Sequence, residues 1–342
     1  MAVTSKQIAE MVKVSRGTVD RVLNNRGGVK KETEKKIREI ADLLGYVPNR
    51  AGKALSSSKR PILLGLILNC EGNPFYEEIL SGIESSKNAY PDFVIEFEIK
   101  KLRGYDVEEQ IKAIDELQAL GVMALIITPM NDALIAEKIN EVAAAEIPVV
   151  TLNTDIEHTC RLLHVGCNYA ASGRTAAGLI GLLTGGCASV AIVTGSMSIL
   201  GHNQRVQGFL SDIKNDYPNV HYVGIVENND DDIKSYTVVK KLMKASPEIT
   251  AVYFAAAGVY GGIQAIEECR ADNMPIIITC DDVEQTKQLV KSGKIEATVC
   301  QQPHRQGFEA VHLVLEYLIS GKRPENDVLY MDNQIKIAQN ID

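Results

Sequence analysis

The chain has no apolar run of membrane-spanning length, so a transmembrane helix is excluded. Its N-terminus lacks the apolar core of a secretion signal. The seven cysteines include no C-x-x-C pair and are odd in number. Free thiols in a reducing compartment follow, and a cytoplasmic protein is expected. The six histidines have no metal-ligand spacing, so neither metal nor cofactor is expected. No G-x-G-x-x-G follows a strand pattern, and neither G-x-x-x-x-G-K-[ST] nor G-x-S-x-G occurs. Dinucleotide, P-loop and nucleophile-elbow chemistry lose their usual marks, and no catalytic residue is assigned. The absence of a heptad extension near Asp342 argues against a tetramerising coiled coil.

What is present divides by charge. The 342 residues suffice for two or three domains, and a hydrophobic fraction of 45% fits a globular chain. Residues 1–60 carry 14 Lys and Arg against 6 Asp and Glu, whereas residues 61–342 carry 22 against 38. A basic head predicts a polyanionic partner, and an acidic body confines the contact to the head.

The head reads as two short helices and a turn over Thr4 to Asn24. Ser5 can cap the first, with Ile8, Ala9 and Val12 as its apolar stripe. Ser15 caps the second, which keeps Val19, Val22 and Leu23 on one face. Arg16, Gly17, Asp20 and Arg21 fall on the other. A third helix, Glu32 to Leu44, completes the core and stops at Gly45. In a helix-turn-helix the N-terminal end of the second helix enters the major groove, where Arg16 can bond guanine O6 and N7 together. A plain three-helix bundle with a solvated charged face has the same spacing. After the head, Pro48 ends the third helix, Asn49 to Leu55 can form a marginal helix weakened by Gly52, and Ser56 to Ser58 form a linker.

The body alternates strand and helix. ILLGLIL (62–68), VIEFEI (94–99), MALIIT (123–128) and IPVVTLN (147–153) are strand patterns. Helical patterns separate them at Phe75 to Tyr90, Val107 to Leu120 and Ala133 to Ala145. The order restarts with LLHVG (162–166) and runs through SVAIVTG, VHYVGIV, AVYFAA and PIIITCDD to ATVCQQP (297–303), which crosses back. The helix Arg305 to Ile319 and the tail 328–338 follow. Two α/β lobes of doubly wound parallel sheet result, joined by crossing strands. The expected domains are a head at 1–47, a hinge at 48–61 and a body at 62–342. Lobe 1 is expected at about 62–160 and 304–325, lobe 2 at about 161–301 and 326–342.

Ligands of open α/β sheets bind beyond the carboxyl ends of the strands. Candidates there are Asn73, Phe75, Tyr76, Asn153, Asn168, Arg205, Asp281 and Gln302. Phe75 and Tyr76 offer aromatic faces or simple core packing. Arg205 offers a fork of donors, or a surface ion pair. Asp281 offers an acceptor or a helix cap, a role Asp282 can also fill. Gln302 has Gln301 beside it, so the residue in use is open by one.

VTSKQIAEMVKVSRGTVDRVLN followed by LGYVPNRAGKAL resembles the head and hinge of the lactose-repressor (LacI/GalR) family. The body is similar to sugar-binding periplasmic proteins of the ribose-binding type, so the resemblance covers nearly the whole chain. It implies a homodimer on double-stranded DNA at a near-palindromic operator. Arg16, Gly17 and Arg21 stand at base-reading positions, and Thr18, Asn24 and Asn49 at backbone contacts. Ser15 and Asp20 complete the DNA-facing set, and Leu55 is the minor-groove wedge. It also implies that Asn73-Pro-Phe-Tyr76 packs on a sugar ring. Arg205 in R-x-x-G-F bonds ligand hydroxyls or a carboxylate, Asp281 accepts from two hydroxyls, and Gln302 joins them. The chain departs from the pattern at Gly17, Asp20 and Gly52. It departs again at Ala255-Ala256-Ala257-Gly258, where an Asn-Asp pair is usual, and at Thr154, where an arginine is usual. Tyr260 or His202 could supply the missing contact.

The reading is a DNA-binding transcriptional regulator, a repressor, whose operator affinity responds to a small sugar or polyol. The alternative is an enzyme acting on a small polar substrate with the same scaffold. A secreted solute receptor fits the body and not the head.

Overall fold

The computed structural model describes residues 5–23, 28–43, 61–69, 73–104 and 106–342, with the side chains of Ser5, Lys6, Asp20 and Asp42 left aside. The chain divides into two compact units at Arg60/Pro61, with Leu318–Lys322 grouped with the first. The proposed hinge at Pro48, Asn49, Gly52 and Leu55 lies outside the described residues, as do Asn24, Leu44 and Gly45.

The first unit contains α1 (Ser5–Val12), α2 (Arg16–Leu23) and α3 (Lys31–Leu43). Helix α1 ends in a Schellman turn. Lys13 takes φ 57°, and the Val14 N–H donates to Ala9 O at 3.0 Å. Ser15 then caps α2, its Oγ accepting from the Thr18 N–H at 3.1 Å. From α3, Arg38 donates to Val22 O at 3.1 Å, satisfying a carbonyl of the last turn of α2. Ile8, Ala9, Val19, Val22, Ile37 and Ala41 form the core.

The second unit holds two six-stranded sheets. The first has β1 (Ile62–Leu68), β2 (Ile95–Lys101), β3 (Ala124–Ile127), β4 (Val149–Asn153), β5 (Leu163–Cys167) and β11 (Val328–Met331), in the order β11-β5-β4-β3-β1-β2, all parallel. The second has β6 (Cys187–Thr194), β7 (Asn219–Glu227), β8 (Ala251–Phe254), β9 (Ile276–Cys280), β10 (Ala297–Cys300) and β12 (Gln334–Lys336), in the order β12-β10-β9-β8-β6-β7. Only β12 runs antiparallel within it. The inner strands β3, β8 and β10 are buried along their whole length and mostly apolar, as strands covered by helices on both faces are. These helices are α4 (Phe75–Ser85), α5 (Val107–Ala119), α6 (Ala133–Ala144), α7 (Tyr169–Leu183), α8 (Leu200–Asp216), α9 (Asp232–Ala245), α10 (Val259–Arg270), α11 (Glu284–Lys291) and α12 (Pro303–Ser320). Asp106, Asp132, Asn168 and Asp231 cap α5, α6, α7 and α9.

Three expectations are corrected. Leu163–Cys167 and Val328–Met331 pair within the first sheet, so neither belongs to lobe 2. The helix from Phe75 ends at Ser85 and tightens to a 3-10 turn over Ser86–Ala89. A helix at Glu284–Lys291 was not anticipated. It spans eight residues and buries Thr286, Leu289 and Val290, too short a stripe to declare itself.

The chain therefore passes between lobes three times, at Cys167–Tyr169, Cys300–Pro303 and Met331–Gln334. The crossings are tied together. Asn333 Nδ2 donates to Asn168 O at 3.2 Å, and Gln302 Nε2 to Asp332 O at 2.8 Å.

Glycines set the helix spacing on each lobe. A Cβ on Gly82 of α4 would lie 1.9 Å from His304 O, and one on Gly307 of α12 2.1 Å from Ile79 O. On lobe 2, a Cβ on Gly173 of α7 would lie 1.9 Å from Arg205 O of α8. Gly173→Ala is expected to push α8 off α7 and cost roughly 1–3 kcal/mol, read as a lower urea midpoint.

Candidate DNA-binding face and ligand cleft

The head presents Ser15, Arg16, Gly17 and Arg21 on its exposed side, with Thr18 half-buried beside them. Sequence spacing placed these residues together, and the structure does the same. An open groove of about 530 Å³ runs past Ser15, Gly17, Thr18 and Arg21 to Gly28, Lys30 and Thr33. Lys30 and Thr33 were not among the expected contacts. They come from the start of α3, whose approach to α2 no local pattern encodes. The resulting surface joins a basic groove to a helix N-terminus, the combination that meets phosphates and base edges. Among the described residues, a Cβ added at position 17 would meet only Ser15 Oγ, at 3.8 Å.

The cleft lies at the carboxyl ends of both sheets. The strand orders β2-β1-β3-β4 and β7-β6-β8-β9 each reverse direction of progression, at β1/β3 and at β6/β8, which opens a crevice there. Arg205 projects from α8 and is almost fully buried. Its Nη1 donates to Ala255 O at 3.0 Å, and its guanidinium lies 4.8 Å from the Tyr169 ring centroid. Nη2 stands 3.8 Å from Asp281 Oδ2. Among the described residues, Nε and Nη2 have no hydrogen-bond partner. Those two nitrogens form the side-on fork of a guanidinium, suited to a pair of acceptors.

Asp281 ends β9 in the left-handed region at φ 66°, as Asn153 ends β4 at φ 67°. Such conformations cost a non-glycine residue on the order of 1 kcal/mol and turn the side chain out of the strand. Gln301 links the two. Its Nε2 lies 2.9 Å from both Asp281 oxygens, and its Oε1 accepts from Asn153 Nδ2 at 3.3 Å and from the Cys167 thiol at 3.2 Å. Tyr169 OH donates to Asn153 O at 3.0 Å. Burial pushes the Asp281 carboxyl up to about 6, against the pull of Arg205 and the Gln301 donors, with Asp282 and Glu78 adding to the rise.

The neighbouring glutamine is turned away. Gln302 takes φ 55°, which sends its side chain to Asp332 O. The structure therefore brings Gln301, not Gln302, into the cluster with Asp281 and Asn153. Asn168 is spent as the cap of α7, its Oδ1 accepting from the Ala171 N–H at 2.9 Å, and does not join the cluster. Asp282 caps nothing and pairs with Lys336 Nζ at 2.6 Å. At the start of α4, Asn73 Oδ1 accepts from the Phe75 N–H at 3.1 Å. Phe75 and Tyr76 are buried edge to face with centroids 5.4 Å apart. Glu78, in the first turn of α4, adds to the rise of the Asp281 carboxyl across the lobes.

The Ala255–Gly258 wall is fixed from below. Asn228 Nδ2 donates to Ala257 O at 2.8 Å, and Asp230 Oδ1 accepts from the Ala257 N–H at 3.1 Å. His202 accepts from the Ser196 N–H through Nδ1 at 3.2 Å and faces Asp230 at 4.0 Å. Tyr260 is exposed on α10.

With this geometry, two family profiles match. Bacterial regulatory proteins of the lacI family match residues 4–49, and a periplasmic binding protein domain matches residues 64–323. The chain belongs to the lacI-type regulators that carry a periplasmic binding protein domain. The regulator is 24% identical to catabolite control protein A of Priestia megaterium over 340 residues, 99% of each chain. It is 26% identical to the ribose import binding protein RbsB of Bacillus subtilis, over 82% of this chain and 89% of that one. Among solved structures, the glucose-galactose binding protein GanP of Geobacillus stearothermophilus aligns with a TM-score of 0.75 at 23% identity, covering 82% of the regulator and 99% of GanP. A solute-binding protein of Burkholderia graminis in complex with D-arabinose aligns at 0.77 and 19%, covering 82% and 97%. These structural likenesses establish the fold of the body. Members of the lacI family are transcription regulators, so the enzyme reading is dropped.

Two measurements check the site. A carbon-13 titration of the Asp281 carboxyl is expected to give a midpoint near pH 6, and Gln301→Ala to raise it by removing donors that favour the anion. Because the native state holds this proton more tightly than an unfolded carboxyl of pKa about 4, the group's contribution to stability falls as pH rises from about 4 through 6. Gly17→Ala is expected to slow amide exchange in α2 roughly two- to five-fold, since Ala favours a helix interior by about 0.5–1 kcal/mol.

Proposed function

We propose that the regulator is a homodimeric cytoplasmic repressor that binds a near-palindromic operator through α2. Its operator affinity is set by a small sugar or polyol held between the two lobes. One observation carries the reading of the cleft. Arg205 is buried, and among the described residues its side-on fork takes no hydrogen bond, with Nη2 3.8 Å from the Asp281 carboxylate at the strand ends of a periplasmic binding protein body. A neutral polyhydroxy ligand suits such a pair, because each hydroxyl both donates and accepts. Relatives named for ribose import, and a similar structure in complex with D-arabinose, support the class. On the head, Arg16 and Arg21 read bases while Lys30 meets phosphate. Dimerisation doubles a small DNA interface, which one head alone leaves weak. Ligand changes operator affinity by the difference of its own affinity for the two closure states.

The deciding experiment is a melting series against pentoses, hexoses, polyols and sugar phosphates. A bound effector at one hundred times its dissociation constant stabilises the native state by about 2.7 kcal/mol. Arg205→Ala and Asp281→Ala are expected to lose that shift and keep operator binding. Arg16→Ala is expected to keep the shift and lose roughly 1–3 kcal/mol of operator discrimination in a titration at fixed salt. No melting shift with any compound sinks the sugar reading. A normal shift in Asp281→Ala sinks the site.

A further inference from the structure

Arg205 Nε and Nη2 apart, polar groups of the cleft are satisfied by one another, and a single side chain does much of it. Gln301 belongs to the second crossing, between β10 of lobe 2 and α12. Its backbone is held from α12, where the fully buried Gln306 donates from Nε2 to Gln301 O at 2.8 Å. Gln306 Oε1 also accepts from Asn153 Nδ2 at 3.3 Å. Helix α12 is fixed to α4 of lobe 1 by the Gly82 and Gly307 approaches. The Gln301 carbonyl faces Asn153 and Cys167 of lobe 1, and its amide nitrogen faces both oxygens of Asp281 of lobe 2. One side chain thus spans the crevice, donating on one side and accepting on the other.

We propose that Gln301 is an internal latch, positioned by Gln306, that occupies Asp281 in place of the ligand and holds the lobes together without one. An incoming ligand must take over the donors that the amide gives Asp281 and the acceptor that it gives Asn153. It must also bring acceptors for the unpartnered Nε and Nη2 of Arg205. Neighbouring hydroxyls on a neutral ligand meet all three demands. A ligand bearing only acceptors leaves Asp281 facing another lone pair, and is excluded. The ligand clause rests on the cleft being the effector site. The latch itself is a property of the ligand-free chain.

The test needs no ligand. Cys160 before β5 and Cys187 at the start of β6 are exposed and lie on different lobes. With Cys70 and Cys269 changed to serine, nitroxides on Cys160 and Cys187 report the interlobe distance by pulsed dipolar spectroscopy. The ligand-free parent is expected to give one narrow distribution. Gln301→Ala, and the size-matched Gln301→Glu that sets a second carboxylate against Asp281, are expected to displace and broaden it. Gln306→Leu should do the same, while Gln288→Ala, a change on the exposed face of α11, should leave it unchanged. Unchanged distributions in both Gln301 variants, with cooperative melting retained, overturn the latch. A parent distribution already as broad as the variants' overturns it too. Either result leaves the sugar reading standing, and a blank sugar panel leaves the latch standing.

Discussion

A guanidinium buried at the ends of the lobe 2 strands is the constraint around which the body is arranged. Removing such a charge from water costs several kcal/mol unless acceptors replace the lost hydration. Ala255 O, the Tyr169 ring and the nearby Asp281 replace part of it and leave one edge open. The arrangement has little slack. Arg205 sits where α8 crosses α7 at a glycine, and its own carbonyl marks the point of closest approach. The backbone spacing of two helices thereby fixes the height of the charge above the sheet.

Charge also separates the two tasks of the molecule. The head sets Arg21 and Lys30 beside an open groove at α2, whereas the body is acidic and keeps Arg205 out of solvent. A surface cation adapts to a phosphate by moving. A buried one recognises only what fits the donors already in place. The same residue type therefore serves long-range attraction in one unit and geometric selection in the other.

Much of this was legible in the residues. Apolar runs declared the inner strands, and Ser15 declared the start of α2, because burial and capping are local demands. Arg205 and Asp281 were each expected in the cleft, and the structure sets them 3.8 Å apart. What escaped was decided by backbone turns and long-range pairing. Nothing in Gln301-Gln302 states that the second takes a left-handed turn, so the choice between them stayed open. Asn168 looked like a ligand contact because a cap and a ligand contact want the same side chain. The periodicity of 163–167 reveals a strand without saying which sheet receives it, and there the expected lobe boundary failed.

The sheet membership of β11 and β12 delays the completion of both lobes to the end of the chain. Domains generally fold as they emerge, the N-terminal one first. Here α7 through β10 form a continuous stretch that supplies five of the six strands of lobe 2 before residue 301 is made. Lobe 1 must wait for α12, which fills the glycine seam on α4, and for β11, its edge beside β5. The half of the body translated first thus lacks its last helix and its edge strand until the chain is almost finished, and β12 then closes lobe 2. Until then its β5 edge is open to strand pairing, so a ribosome stalled after residue 300 holds a nearly finished lobe 2 above an aggregation-prone lobe 1.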